Sequence, residues 1–493
     1  MTLSSPYGNW KKGCKDRMYR LLILSSLFLL FHAPVLQAGS ELDDVLSGFD
    51  ESGEQQAKTQ DMELDDALTG FEDSTDDIAP VETVSQTDMF PWLNIFGSLS
   101  METSWNFAHD APAEGEPDYR GLSMLRTTGA LGVDLDMGAW KGRASGHAFY
   151  DAAWAVNGKD QYSDGFLDRY EDEIEVDDFY LAGSITTSLD LKTGRQVVVW
   201  GKADNLRVTD VLNPLNNRTP GMVDIKYKRL PVTMSKLDYY FGNWNLSAII
   251  IHEIRFDKNP VFNGEFFPGK TMPPPEQKPT NFSLDTQQYG LALNGVFSGW
   301  DLSFYYADIY DARTHLVNDN GTLSLQHNRV HMTGITGNIA LGNWLIKGEG
   351  AWWKGLEYSH SPDRDFDRID LMTGIEYTGF SETVLSLEVV NRYIPEFEDN
   401  LEQAPDYGVR NQTQSALMLT RDFLNDTVQL KILCSFFGTH GEDGAFERFQ
   451  IEYDYTDHIT LTGGVIFYQS GDQIGFRDIG DSDRLFLEFK YSF

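Results

Sequence analysis

Cysteine is almost absent from this chain. It has two, and Cys14 lies in an N-terminal segment that reads as cleavable, which leaves Cys434 alone. One thiol cannot form an internal disulfide, and a cysteine-rich metal site is excluded. Its place in the alternating run Val428–Cys434 makes it a small lipid-facing residue. Long apolar runs are missing too. Outside the N-terminus no stretch of about twenty apolar residues occurs, so the body has no transmembrane helix. A membrane β-barrel stays open, because its strands alternate and average to a polar composition. Positive charge is scarce: 39 Lys and Arg stand against 75 Asp and Glu, a net charge of −36. That balance argues against nucleic acid as a partner. Catalytic signatures are also lacking. His252-Glu253 has no second histidine at zincin spacing, no Gly-x-Ser-x-Gly elbow occurs, and Gly480-Asp481-Ser482 sits in an expected loop. The ten histidines are scattered, so no metal, cofactor or enzymatic activity is expected.

What is present begins with a targeting signal over residues 1–38. Lys11, Lys12, Lys15, Arg17 and Arg20 form a basic region, Leu21–Phe31 an apolar core, and Leu36-Gln37-Ala38 a cleavage site. Residues 39–89 then carry sixteen acidic residues and one lysine. Such a tail cannot bury enough apolar surface to fold alone and is expected to be disordered in the periplasm. Within it Glu41-Leu42-Asp43-Asp44-Val45-Leu46-Ser47-Gly48-Phe49 recurs as Glu63-Leu64-Asp65-Asp66-Ala67-Leu68-Thr69-Gly70-Phe71. Leu42, Val45, Leu46 and Phe49 form one helical stripe, and Leu64, Leu68 and Phe71 repeat it. Two turns of helix are unstable alone. The repeat therefore reads either as a pair of docking motifs for a periplasmic partner or as a duplicated spacer.

From residue 90 the period becomes two. Leu93, Ile95, Leu99, Met101 and Trp105 share one face, and Asn94, Ser98, Ser100 and Glu102 the other. Leu385, Leu387 and Val389 alternate likewise with Ser386 and Glu388. Such faces imply a polar interior and a lipid-facing exterior. Short turns at Gly138-Ala139, Thr187-Ser188, Gly242-Asn243, Ser298-Gly299, Gly342-Asn343, Gly379-Phe380, Asn425-Asp426 and Thr456-Asp457 alternate with nine longer polar stretches. Seventeen connections predict an antiparallel transmembrane β-barrel of about eighteen strands over 90–493, with sixteen as the alternative. Trp140, Trp244, Trp300 and Trp344 follow tight turns, and Trp105, Trp154, Trp200 and Trp352 lie near opposite strand ends. This predicts two aromatic belts in the outer-membrane lipid. The last strand ends on Phe489, Tyr491 and Phe493. It resembles the signal by which barrel assembly machinery recognises outer-membrane proteins.

Gly194-Arg195-Gln196-Val197-Val198-Val199-Trp200-Gly201, followed by Asp210-Val211-Leu212-Asn213-Pro214, resembles a motif of the bacterial barrel family catalogued only as domain of unknown function 1302. The resemblance implies an outer-membrane barrel, often encoded near RND-type exporters of lipids or apolar compounds, with no settled substrate. Read as residues, the long loop after Trp200 suits an inward fold. Arg195, Lys202, Asp204, Arg207, Asp210 and Asn213 are then candidates for a pore constriction. Lys192 and Arg195 have opposite parity, which predicts a bulge near Gly194 or a Lys192 reaching the rim. The acidic run Asp168–Asp178 matches no defined calcium loop and is expected to be a solvated face. Phe262, Phe266, Phe267 and Pro273-Pro274-Pro275 make the 257–284 loop an apolar lining or a lid. The expected function is passage of a solute across the outer membrane. The alternatives are a structural or adhesive barrel with a plugged lumen and, less favoured, an outer-membrane hydrolase.

Overall fold

The computed structural model describes residues 90–223 and 225–493. The signal segment and the acidic tail with both repeated motifs lie outside the described residues. In chain order the strands are β1 (Leu93–Asn106), β2 (Gly121–Asp136), β3 (Trp140–Asp151), β4 (Asp172–Thr186), β5 (Leu189–Gln196), β6 (Val232–Phe241), β7 (Trp244–Ile251), β8 (Glu276–Gln277), β9 (Gln288–Phe297), β10 (Trp300–Tyr310), β11 (His315–Asp319), β12 (Thr322–Gln326), β13 (Arg329–Leu341), β14 (Trp344–Leu356), β15 (Phe366–Phe380), β16 (Thr383–Tyr393), β17 (Asn411–Phe423), β18 (Val428–Phe437), β19 (Gly444–Thr456), β20 (Ile459–Gln469) and β21 (Arg484–Ser492). Of these, β8, β11 and β12 make a small sheet among the loops, and the other eighteen form one sheet. β1 pairs antiparallel with both β2 and β21, so that sheet closes on itself. Closure matters because an open edge would leave backbone donors and acceptors unpaired in lipid.

Tight turns and long connections alternate as the sequence predicts. Two turns are displaced. β15 runs on through Phe380, which packs on Tyr377 at 5.0 Å between ring centroids, and the turn is Ser381-Glu382 with Glu382 at φ +49°. The last tight turn is Asp457-His458. The faces separate cleanly in β1: Leu99 is 54% exposed, whereas Ser100 is 7%.

The tryptophan belts are half borne out. Trp140, Trp244, Trp300 and Trp344 open β3, β7, β10 and β14 at the turn end. At the loop end Trp105 and Trp352 face outward, but Trp154 and Trp200 are buried. Trp154 sits in a short helix over the barrel mouth, packed on Tyr162, Phe166 and Tyr170. Trp200 stacks on Tyr305 at 4.8 Å inside the lumen. Both lie past strand ends, where the chain leaves the wall. Cys434 pairs with outward-facing Leu417, yet its small side chain is buried beneath its neighbours.

The lumen is not uniformly wet, contrary to the simple alternation argument. Met234, Ile249, Ile251, Ala307 and Met332 point inward and are buried in one apolar cluster. The 197–231 loop adds Val198, Trp200, Leu206, Val208 and Leu212 to that cluster.

Candidate functional site

After Gln196 the chain leaves the wall, and it returns at Val232. The intervening loop folds inward for three physical reasons. Its Val198, Trp200, Leu206, Val208 and Leu212 bury against the apolar wall, at about 1.5–3 kcal/mol per side chain. Its backbone donors are then satisfied by two carboxylates of the wall. Glu349 on β14 accepts the Ala203 N–H at 2.8 Å, the Thr209 N–H at 3.2 Å and the Thr209 hydroxyl at 3.0 Å, and also the Lys202 N–H. Glu388 on β16 accepts the N–H groups of Asp204, Asn205 and Leu206 at 2.7, 3.0 and 3.0 Å. Finally, ion pairs tie the loop to the wall. Lys202 meets Asp301 at 3.1 Å, and Asp204 pairs with Lys347, which also reaches Glu376 at 3.3 Å.

Five of the six candidate residues are thus brought together, in two different places. Lys202, Asp204 and Arg207 line the lumenal cavity. Asp210 and Asn213 are buried pins of the loop. Asp210 lies 2.9 Å from Arg229 and 3.2 Å from Arg207. The Asn213 side chain accepts the Val198 N–H at 2.8 Å and donates to Leu230 O at 2.9 Å, clamping the two ends of the loop together. Arg195 stands apart in the wall, where it pairs with Glu175 and Glu253. No bulge occurs at Gly194, whose registers to β4 and β6 are continuous. Instead Gly194 takes φ +126°. Lys192 lies mid-strand with its ammonium 4.1 Å from the Tyr180 ring, not at the rim. The acidic run is a solvated face only in part: Asp168 and Asp172 are exposed, whereas Glu173 and Glu175 are bound by Arg195, Arg218, Arg255 and Lys258.

The cavity beside the loop has a volume of about 1760 Å³ and reaches from Pro273 among the long loops to Leu345, next to the Gly342-Asn343 turn. Phe262, Phe266 and Phe267 line its mouth, so the 257–284 loop is a lining. Fourteen of the lining residues are Lys or Arg and three are Asp or Glu. Among the strand residues lining the cavity, Arg392 (β16), Lys431 (β18) and Arg448 (β19) form a basic wall. Arg392 donates to two uncharged acceptors, Gln414 Oε1 at 3.3 Å and Arg207 O at 3.2 Å. Sequence reasoning did not single out these three, nor Glu349; each is an inward-parity charge in an alternating strand, and that parity was the available signal.

No curated protein matches the chain in sequence. Among solved structures it is similar in fold to OccAB1 of Acinetobacter baumannii, at 10% identity, 81% of this chain, 96% of that one and a TM-score of 0.47. It is also similar to OccK9 (OpdG) of Pseudomonas aeruginosa, at 11% identity, 81% and 98% coverage and a TM-score of 0.49. OpdK of Pseudomonas aeruginosa, solved with vanillate, matches at 8% identity, 81% and 98% coverage and a TM-score of 0.46. The family model described as "Protein of unknown function (DUF1302)" matches residues 97–493. The chain, an eighteen-stranded barrel of outer-membrane type, belongs to that family.

Proposed function

We propose that the protein is an outer-membrane channel whose lumen passes an anionic solute. The observation that carries this is the cavity's charge. In a chain of net charge −36, fourteen cations and three carboxylates line the cavity that reaches from the long loops toward the tight turns. Charges in a narrow lumen with low-dielectric walls are weakly screened and concentrate counter-ions. Lys202, Asp204 and Arg207 on the inward loop, Arg392 bonded to that loop, and Lys431 and Arg448 of the wall line this space, and together they act as its constriction.

The test is the reversal potential of purified, refolded protein in a planar bilayer under a potassium chloride gradient. Anion selectivity is expected; cation selectivity, or no current at all, overturns the reading. The absence of current would favour the second reading, a plugged structural barrel, which draws on the apolar cluster between the inward loop and the wall.

The coupling to an envelope system for lipids or apolar compounds runs, in this proposal, through the acidic tail. β1 starts at the turn end, where Trp92 O accepts the Asp136 N–H. Residues 39–89 used as bait should enrich a periplasmic or inner-membrane protein, and alanines at Leu42, Leu46, Phe49, Leu64, Leu68 and Phe71 should abolish the capture. Capture that ignores those alanines sinks the docking motif.

A further inference from the structure

The barrel wall contains a seam that no ladder closes. β4 has fifteen residues, but its register with β5 ends at Phe179↔Arg195, because the chain turns inward after Gln196. Beyond a register shift between Phe179 and Val176, residues Asp172–Val176 remain paired with β3, with no strand register on their other side. The neighbouring strands do not fill the place: β6 begins at Val232 opposite Gln196, and β7 ends at Ile251 opposite Met234. The consequence shows at Ile174, whose outward side chain is 86% exposed, whereas Leu487 and Leu371 in the paired wall are 63% and 61% exposed.

Side chains close this gap. The Arg195 guanidinium donates from Nε to Val176 O at 2.7 Å, taking up an acceptor of the open β4 edge, and pairs with Glu175 at 2.7 Å and Glu253 at 2.6 Å. Arg255 meets Glu175 at 2.7 Å, and Lys258 meets Glu175 at 2.8 Å and Glu173 at 2.9 Å. Arg255 and Lys258 also line the lumenal cavity. One layer of ion pairs therefore separates the cavity from the apolar outer face carrying Ile174, Val176 and Phe179. An ion pair can exchange its carboxylate for another anion without breaking a ladder. A continuous strand pair offers no such exchange.

We propose that this seam is a side door through which an amphiphile with an anionic head and an apolar tail passes between the lumen and the surrounding lipid. The head binds Arg195, Arg255 and Lys258 in exchange for Glu175 and Glu253, and the tail lies over Ile174, Val176 and Phe179. This deepens the anionic-channel reading by naming the solute class, and it rests on that reading. A fatty acid carboxylate and a lipid phosphate share the required chemistry.

The test uses the full barrel in proteoliposomes with three photoreactive lipids bearing the diazirine beside the head: a palmitic acid, a phosphatidic acid and, as neutral control, a palmityl alcohol. Labelling of residues 254–258 is read by mass spectrometry. At least one anionic probe should label this segment several-fold above the alcohol, and R255Q/K258Q should remove the excess while R255K/K258R retains it. Labelling by the acid alone assigns the carboxylate, and by the phosphatidic acid alone the phosphate. Equal labelling by the alcohol, or none by any probe in the wild-type protein, overturns the proposal whether or not the variants fold. Bilayer conductance on the same preparation separates the two ideas: current without labelling removes the door and leaves the channel, and labelling without current does the reverse.

Discussion

Glu388 shows how much one residue of the wall determines. Its buried carboxylate accepts three successive backbone N–H groups of the inward loop, and hydrogen bonds to a charged group are worth about 1.5–3 kcal/mol each. In Glu388→Ala these three donors lose their common partner. The loop should loosen, giving a larger and noisier single-channel current and faster cleavage by trypsin at Lys202 and Arg207. Unchanged current and cleavage would remove Glu388 from this role. Gly194 is the corresponding backbone position. At φ +126°, an added Cβ would lie 2.2 Å from Phe179 O, against main chain that cannot give way. Gly194→Ala should cost roughly 2 kcal/mol or more. The temperature at which the folded band is lost in unboiled electrophoresis should fall by several degrees.

Among elements, the long loops are held by charge as much as by packing. His109, after β1, has Nδ1 3.0 Å from Asp481 in the loop before β21, and Nε2 3.5 Å from Glu265 in the loop after β7, the latter a charge contact without hydrogen-bond alignment. Asn106 donates to Glu265 at 3.0 Å, and Arg484 pairs with it as well. Burial opposes charge on His109, but the Asp481 and Glu265 carboxylates outweigh it and raise its pKa from 6.5 to about 9. A folded-state pKa above the unfolded value stabilises most at low pH. The clasp is fully present below pH 6.5 and is lost as pH rises through about 9. Hydrogen exchange of residues 107–120 should therefore accelerate between these pH values, beyond its intrinsic rise, and His109→Gln should flatten that extra dependence. An equal dependence in the variant would show that His109 is not the titrating group.

At the scale of the whole molecule, the closing pair of strands, β1 and β21, is extended by Phe493. Phe493 exchanges backbone hydrogen bonds with Gly97 of β1, at 2.8 and 2.9 Å. Its ring occupies the space a Gly97 side chain would need, since a Cβ there would lie 2.6 Å from the ring tip. Gly97 on the first strand and Phe493 on the last thus fit as socket and plug at the closing pair. Deleting Phe493 should lower the amount of folded, heat-modifiable barrel in outer-membrane fractions several-fold, and Gly97→Leu should do so in part. Normal levels of both variants would show that closure does not use this contact.

Much of this was legible in the sequence because a barrel wall is a local object. Period-two alternation and the turn residues determine strands, faces and order, so eighteen strands follow from turns that a single pass along the chain can find. The closing strand is as readable, from Leu485 to Phe493. The inward turn of the 197–231 loop could be suspected from its length, and Lys202, Asp204 and Arg207 were found with it. What the sequence could not decide is what meets what across the lumen. Glu349 and Glu388 look like any inward carboxylates until the loop's N–H groups arrive over them, and Trp154 and Trp200 look like rim residues until the chain past the strand end folds inward. The apolar cluster in the lumen and the ion-paired seam at Arg195 arise from contacts between residues tens of positions apart. Sequence periodicity reports which face a side chain takes, and only the tertiary structure decides which partner waits there.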